Sequence, residues 1–180
     1  MIRILCHEYV MNVNETAQTY TQRILSNVGT RDPLTVLSTT SGQLRELTAG
    51  LSREQLFRTP EAGRWSIAQI LAHLADAEIA GAWRFRSVLA QDGVPLAPFD
   101  QDAWAGAFKY EQVDPSASIE LFTANRTATL ALLRRVDPVR HRHHGMHAER
   151  GQETIEHMIR LYAGHDLNHL QQIERLVAAP

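Results

Sequence analysis

The sequence predicts an all-α protein, a four-helix bundle with long connecting loops that occupies residues 16–180 as a single domain. Three observations predict it. Apolar residues recur at helical spacing along nearly every long segment. Convincing two-residue alternation, the mark of strands, is absent. Capping signals and prolines stand at the edges of the periodic stretches. A chain of 180 residues can bury about 70% of its unfolded surface, enough for one substantial core.

The first helical region runs from about Thr16 to Leu51 and breaks near Gly29-Thr30-Arg31-Asp32-Pro33, where Pro33 opens a new helix as its first residue. Leu34, Leu37, Leu44, Leu47 and Leu51 then follow at spacings of 3, 7, 3 and 4, an amphipathic stripe. Gly50 and Ser52-Arg53-Glu54-Gln55 suggest a stop and a short turn of helix. Pro60 and Gly63 make TPEAGRW a loop. Ser66 with Gln69 is a capping box, so a second helix starts there and runs to about Ala90. Its inward stripe is Ile67, Ile70, Leu71, Leu74, Gly81, Phe85 and Val88; His73 lies on the shoulder and Glu78 at the edge.

Gln91-Asp92-Gly93 ends that helix, and VPLAPFDQDAWAGAFKYEQVDP is a long connection with several aromatics. A third helix, Ser116 to about Arg135, turns Ile119, Phe122, Leu130 and Leu133 inward, and Asp137-Pro138 closes it. His141-Arg142-His143-His144-Gly145-Met146-His147 is expected to be a solvated, flexible loop, with His147 aimed at the bundle end. The last helix carries Ile155, Met158, Ile159, Tyr162, Ile173, Leu176 and Val177 on one stripe, and His165 and His169 fall inside it.

Two imidazoles four residues apart sit one turn above the other and reach a single point. On a buried face each needs a partner. Two readings follow: a pair of core histidines bonded to carbonyls or carboxylates, or a metal site. His73 from the second helix completes a trio if the two helices are neighbours. Three neutral imidazoles around a divalent ion leave positions open for water or substrate, the arrangement of a catalytic site. Imidazole suits Zn, Ni, Fe and Cu alike; zinc or nickel is the expected ion. Asp166 holds the place of the general-base Glu of an HExxH protease, one methylene shorter, but the long bundle pattern argues against a protease.

The segments WSIAQILAHLADAE, RFRSVL, PFDQDAW and YAGHDLNHLQQI, in that order, resemble the DinB-like superfamily, and most closely its YfiT-like, metal-dependent branch, which includes bacillithiol S-transferases. The resemblance spans about Asp32 to Leu176. It implies a four-helix bundle, often dimeric, with a metal held by His73, His165 and His169, the trio that the helical spacing also brings together. One position departs. The transferases tend to end in HxxHH, whereas Asn168 precedes His169 here, so the resemblance carries metal binding further than thiol transfer.

The expected function is a metal-dependent enzyme, a thiol S-transferase or hydrolase acting on a small molecule; the alternative is a non-catalytic metal-binding bundle, stress-associated or structural, which a site closed by a fourth protein ligand would favour. Glu78 and Asp166 are the candidate catalytic carboxylates, either moving a proton or orienting an imidazole. Asp76, one turn after His73, is expected to be a solvated or capping carboxylate, and His157 to be exposed. Trp65 should staple the second helix's start; Phe99, Trp104 and Tyr110 either roof a pocket or plug the bundle end. Arg84 and Arg86 are read as surface residues.

Net charge is −2 with both signs mixed, which marks no nucleic-acid surface. No apolar run of ~18 residues suggests a membrane span. Cys6 is the only cysteine and rules out an intrachain disulfide, and a cytoplasmic location is expected. Residues 1–15 match no pattern, and Met11 is a second candidate start. Exposed apolar helix faces and the family habit both lead to a homodimer, which a monomeric mass in light scattering would refute.

Overall fold

A computed structural model describes residues 16–61 and 63–179; the readings of Cys6, His7 and Met11 lie outside the described residues. The helices are α1 (Ala17–Val28), α2 (Pro33–Thr48), α3 (Arg53–Phe57), α4 (Ile67–Ala90), α5 (Gln101–Ala107), α6 (Pro115–Arg135) and α7 (Ile155–Ala178). Pro33 and Pro115 each stand in the first helical turn, behind Asp32 and Asp114 as side-chain caps. Ser66 and Gln69 bond reciprocally, the capping box that starts α4.

Helices α2, α7, α4 and α6 close a ring of four, each packed against two others, and this is the bundle. The first helical region is therefore two helices with different roles. α1 lies outside the ring, laid along α7. Gly164 makes that close approach possible, since a Cβ there would come 2.1 Å from the Ile24 carbonyl oxygen. On α2 the inward face is Val36, Leu37, Thr40 and Leu44, while Leu34 is 39% exposed. The leucine stripe missed this rotation because the centre of the true face is a threonine, which an apolar pattern skips.

Two apolar clusters fill the bundle. One gathers Val36, Leu37, Phe85, Val88, Leu130, Met158 and Ile159; the other gathers Leu44, Ile70, Leu74, Ile119, Phe122, Leu170 and Ile173. A polar layer lies between them. Thr40 from α2, Glu78 from α4, Arg126 from α6 and Asp166 from α7 meet there, one group from each helix of the ring.

The connections hold more structure than their sequence suggests. Strand β1 (Val94–Leu96) pairs in parallel with β2 (His144–His147), which pairs antiparallel with β3 (Gly151–Thr154). Strands of three and four residues containing Pro, Gly and His carry no alternation to read. The histidine-rich run is likewise ordered. His141 Nε2 lies 3.2 Å from the Leu133 carbonyl, His143 Nδ1 3.0 Å from that of Val88, and Arg140 donates to that of Leu89. Its basic side chains thus satisfy carbonyls in the last turns of α6 and α4. His144 pairs with Asp92 across the strand ends at 2.9 Å.

Candidate metal centre

α4 and α7 run side by side, and this brings His73 of α4 to His165 and His169 of α7. His165 Nε2 lies 3.0 Å from His73 Nε2 and 3.1 Å from His169 Nε2. His73 and His169 are buried, and His165 is partly accessible. Burial pushes all three imidazoles towards the neutral form: His73 well below its ordinary range, His165 to about 4 and His169 to about 3. Neutral imidazoles are the ligand form of histidine.

The hydrogen bonding is incomplete within the cluster. Gln172 Oε1 faces His169 Nδ1 at 2.8 Å, which places the proton on Nδ1 and turns a lone pair inward at Nε2. His165 Nε2 then has one proton at most for two facing nitrogens. His73 Nδ1 is buried with no partner at all. A divalent ion accepts three inward lone pairs at once. Zinc–nitrogen bonds of about 2.0–2.1 Å in a tetrahedron put the nitrogens roughly 3.3 Å apart, near the two spacings found here. The donor set therefore fits a zinc- or nickel-type ion. Among the described residues these three are the group with metal-ligand geometry.

Aromatic rings cover the cluster on its α4 side. Trp65 and Phe99 flank His73, with ring centroids at 5.0 and 6.0 Å, and Trp104 meets Phe99 edge-on at 5.0 Å. Tyr110 is fully buried and donates to Asp76 at 2.6 Å. Asp76 is thus an internal acceptor that anchors the 94–114 connection, rather than a solvated carboxylate. His157 is half-buried.

Glu78 and Asp166 are both buried, and both bond Arg126: Nη2 to Glu78 at 2.8 Å, Nη1 to Asp166 at 2.6 Å. Thr40 adds a hydroxyl to Asp166 at 2.8 Å, and Arg126 also donates to the Leu37 carbonyl. Both carboxylates are therefore bonded to this arginine, and Asp166 also to the threonine, rather than to the imidazoles. Burial raises Glu78 from its ordinary value against the opposing pull of Arg126. Arg126 itself gave little signal in the sequence, because one arginine on an otherwise amphipathic helix reads as surface. Asn168 faces away from the cluster, its amide oxygen 3.5 Å from Arg23 of α1. The departure from HxxHH therefore lies outside the three-histidine group. Arg84, read as a surface residue, is 7% exposed and donates twice to the Ala97 carbonyl.

The comparisons with known proteins agree with this architecture. A relative from Oceanobacillus iheyensis is 28% identical over 133 residues, covering 74% of this chain and 77% of its own. YfiT of Bacillus subtilis is 26% identical over 142 residues, covering 78% and 80%. Both carry names that assign them provisionally to the metal-dependent hydrolases. The solved structure of YfiT, described as having an unusual four-helix bundle topology, superposes with a TM-score of 0.74 at 22% identity, covering 91% of this chain and 89% of that one. The profile of the DinB superfamily matches residues 37–173, from α2 through the histidine pair, and the chain belongs to that superfamily.

Proposed function

We propose that this protein is a metal-dependent enzyme acting on a small molecule, a hydrolase or a thiol S-transferase, with a divalent ion, zinc or nickel, held by His73, His165 and His169. The observation that carries this reading is the convergence of three Nε2 atoms that face one another across two contacts with one shared proton at most between them. The names of the relatives support it independently.

Bound there, such an ion would supply Lewis acidity, acidifying a water or thiol or polarising an acceptor oxygen. The chain's own residues set the conditions. Gln172 fixes the His169 tautomer. Phe99, Trp104 and Trp65 exclude water from the α4 side. His165, the partly accessible imidazole, marks the side from which a substrate approaches. In this reading Asp166 and Glu78 hold the charge balance beside the site through Arg126, and a proton leaving the substrate passes to one of these carboxylates or to solvent.

The three-ligand set favours an enzyme over a purely structural metal bundle. A structural site is usually closed by a fourth protein ligand, and among the described residues none joins the three histidines. No helix of the described residues is long and apolar enough to cross a membrane. A homodimer remains part of this proposal; Ile79 and Trp83, one turn apart and exposed on α4, offer an apolar face for it.

The test is metal content of protein purified without added metal or an affinity tag, alongside His73→Ala and His169→Ala. About one divalent ion per chain, lost in both variants while the helical circular dichroism is retained, is the expected result. A wild-type protein that takes up neither zinc nor nickel would sink the reading. Hydrolysis and thiol-transfer screens on the loaded protein then separate the two chemistries.

A further inference from the structure

The molecule holds a second group of polar side chains that the three-histidine site does not use, under the small sheet. Arg84 is 7% exposed, and among the described residues no carboxylate pairs with its guanidinium. Nε and Nη2 both go to one carbonyl, that of Ala97, at 3.2 and 2.7 Å. A buried guanidinium without a carboxylate is costly, and such charges ordinarily have a partner of opposite sign.

Two donors stand beside it. Tyr162 lies against α4 where Gly81 leaves room: a Cβ on Gly81 would be 2.5 Å from the phenol Cε1 and 2.9 Å from its hydroxyl oxygen. Arg84 is the next residue on that face of α4, one turn along, and its charge acts on the Tyr162 hydroxyl. His147, 7% exposed on β2, receives backbone N–H groups of Glu149 and Arg150 at Nδ1, at 3.2 and 3.4 Å. Its Nε2 therefore carries the proton and is a donor. Burial and the charges of Arg150 and Arg84 keep this imidazole neutral, down at about 4. Arg150 is itself engaged by Glu153, Nη2 to Oε2 at 3.1 Å, so Arg84 is the cation left over.

Tyr162 stands one turn before His165 on α7, and both are partly accessible. At a rise of about 1.5 Å per residue their backbones are about 4.5 Å apart along α7, and Arg84 stands eleven residues, about 16 Å, beyond His73 on α4.

We propose that Arg84, the Tyr162 hydroxyl and His147 Nε2–H form a subsite for a carboxylate group of the substrate, next to the three-histidine cluster. The proposal deepens the reading of that cluster as the reacting centre, and rests on it for the identity of the substrate's other end. It makes the substrate an anionic small molecule, with its carboxylate about one to three helical turns from the bond that reacts. A bidentate guanidinium–carboxylate contact supplies orientation as well as affinity.

The experiment is titration of glutarate, and of its uncharged diamide, into chelator-treated and zinc-loaded protein, followed by ligand-observed NMR. Wild type should bind glutarate in both forms and the diamide at least about tenfold more weakly. Arg84→Gln should lose at least about tenfold in glutarate affinity, and Arg84→Lys should keep part of it. Arg84 also holds the 94–97 segment, so Tyr162→Phe provides a second variant that keeps the ring packing. It should weaken glutarate several-fold without changing zinc uptake. Equal binding of glutarate and diamide, or unchanged glutarate affinity in the folded variants, would overturn the subsite. Zinc uptake without glutarate binding removes the subsite and leaves the metal reading; glutarate binding without zinc uptake does the reverse.

Discussion

The Arg126 cluster and the histidine cluster draw on the same two helices, α4 and α7, at neighbouring levels, yet they are bonded differently. Around Arg126 every partner is a member of the bundle. Two carboxylates, a hydroxyl and a carbonyl receive or give their hydrogen bonds within 3.2 Å, with α2 and α6 completing the set. In the histidine cluster nitrogens face nitrogens, and one nitrogen faces nothing. The first cluster is closed and should be sensitive to any loss. The second is open and should respond mainly to what enters it. Burial alone does not distinguish a structural polar group from a functional one; the matching of donors to acceptors does.

The largest effect expected from this contrast is in the closed cluster. Arg126→Ala leaves two buried carboxyl groups without their cation and should cost about 3–5 kcal/mol of stability in urea unfolding. A loss under about 1 kcal/mol would mean that Glu78 and Asp166 are satisfied without it, and the contrast would fail.

Next comes the outer support of the open cluster. Gln172→Leu removes the acceptor at His169 Nδ1 and should weaken zinc binding about 10–100-fold in a chelator competition, with much less change in metal-free stability. Unchanged affinity would show that the His169 tautomer needs no such support.

A third effect is the pH dependence of the metal-free protein. Folded His165 and His169 titrate at about 4 and about 3, against 6.5 for an ordinary histidine. As pH falls below 6.5 the unfolded chain takes up protons before the folded one. Stability is therefore full above that pH and is lost on acidification, by up to about 1.4 kcal/mol per pH unit per imidazole. His169→Ala should flatten this slope between about pH 6.5 and 4. An equally steep slope in the variant would place the proton uptake elsewhere.

The sequence made the histidine cluster legible because its signal is local: two residues four apart on one stripe, and a third on the shoulder of a well-capped helix. Helix ends at Pro33, Ser66 and Ala90 were legible for the same reason. The Arg126 cluster was not, since its members come from four helices and only the assembled bundle sets them at one level. The sheet was hidden because its pairing joins residues 94–96 to 144–147 across fifty positions, in strands too short to alternate. Arg84 was hidden because an arginine's sequence context does not show whether a loop carbonyl, here that of Ala97, will cover it.

The polar layer has a further consequence for the bundle as a whole. Leucine and isoleucine layers tolerate exchange and slippage, because one apolar side chain of suitable volume replaces another at little cost. A guanidinium bonded to groups from three other helices admits no such freedom. Sliding any one helix by a turn, about 5.4 Å, would leave a charge or hydroxyl facing hydrocarbon. Thr40, Glu78, Arg126 and Asp166 thus index the helices against one another, and they hold α4 and α7 at the one alignment in which His73 meets His165 and His169. The residues above and below can change while that alignment is kept.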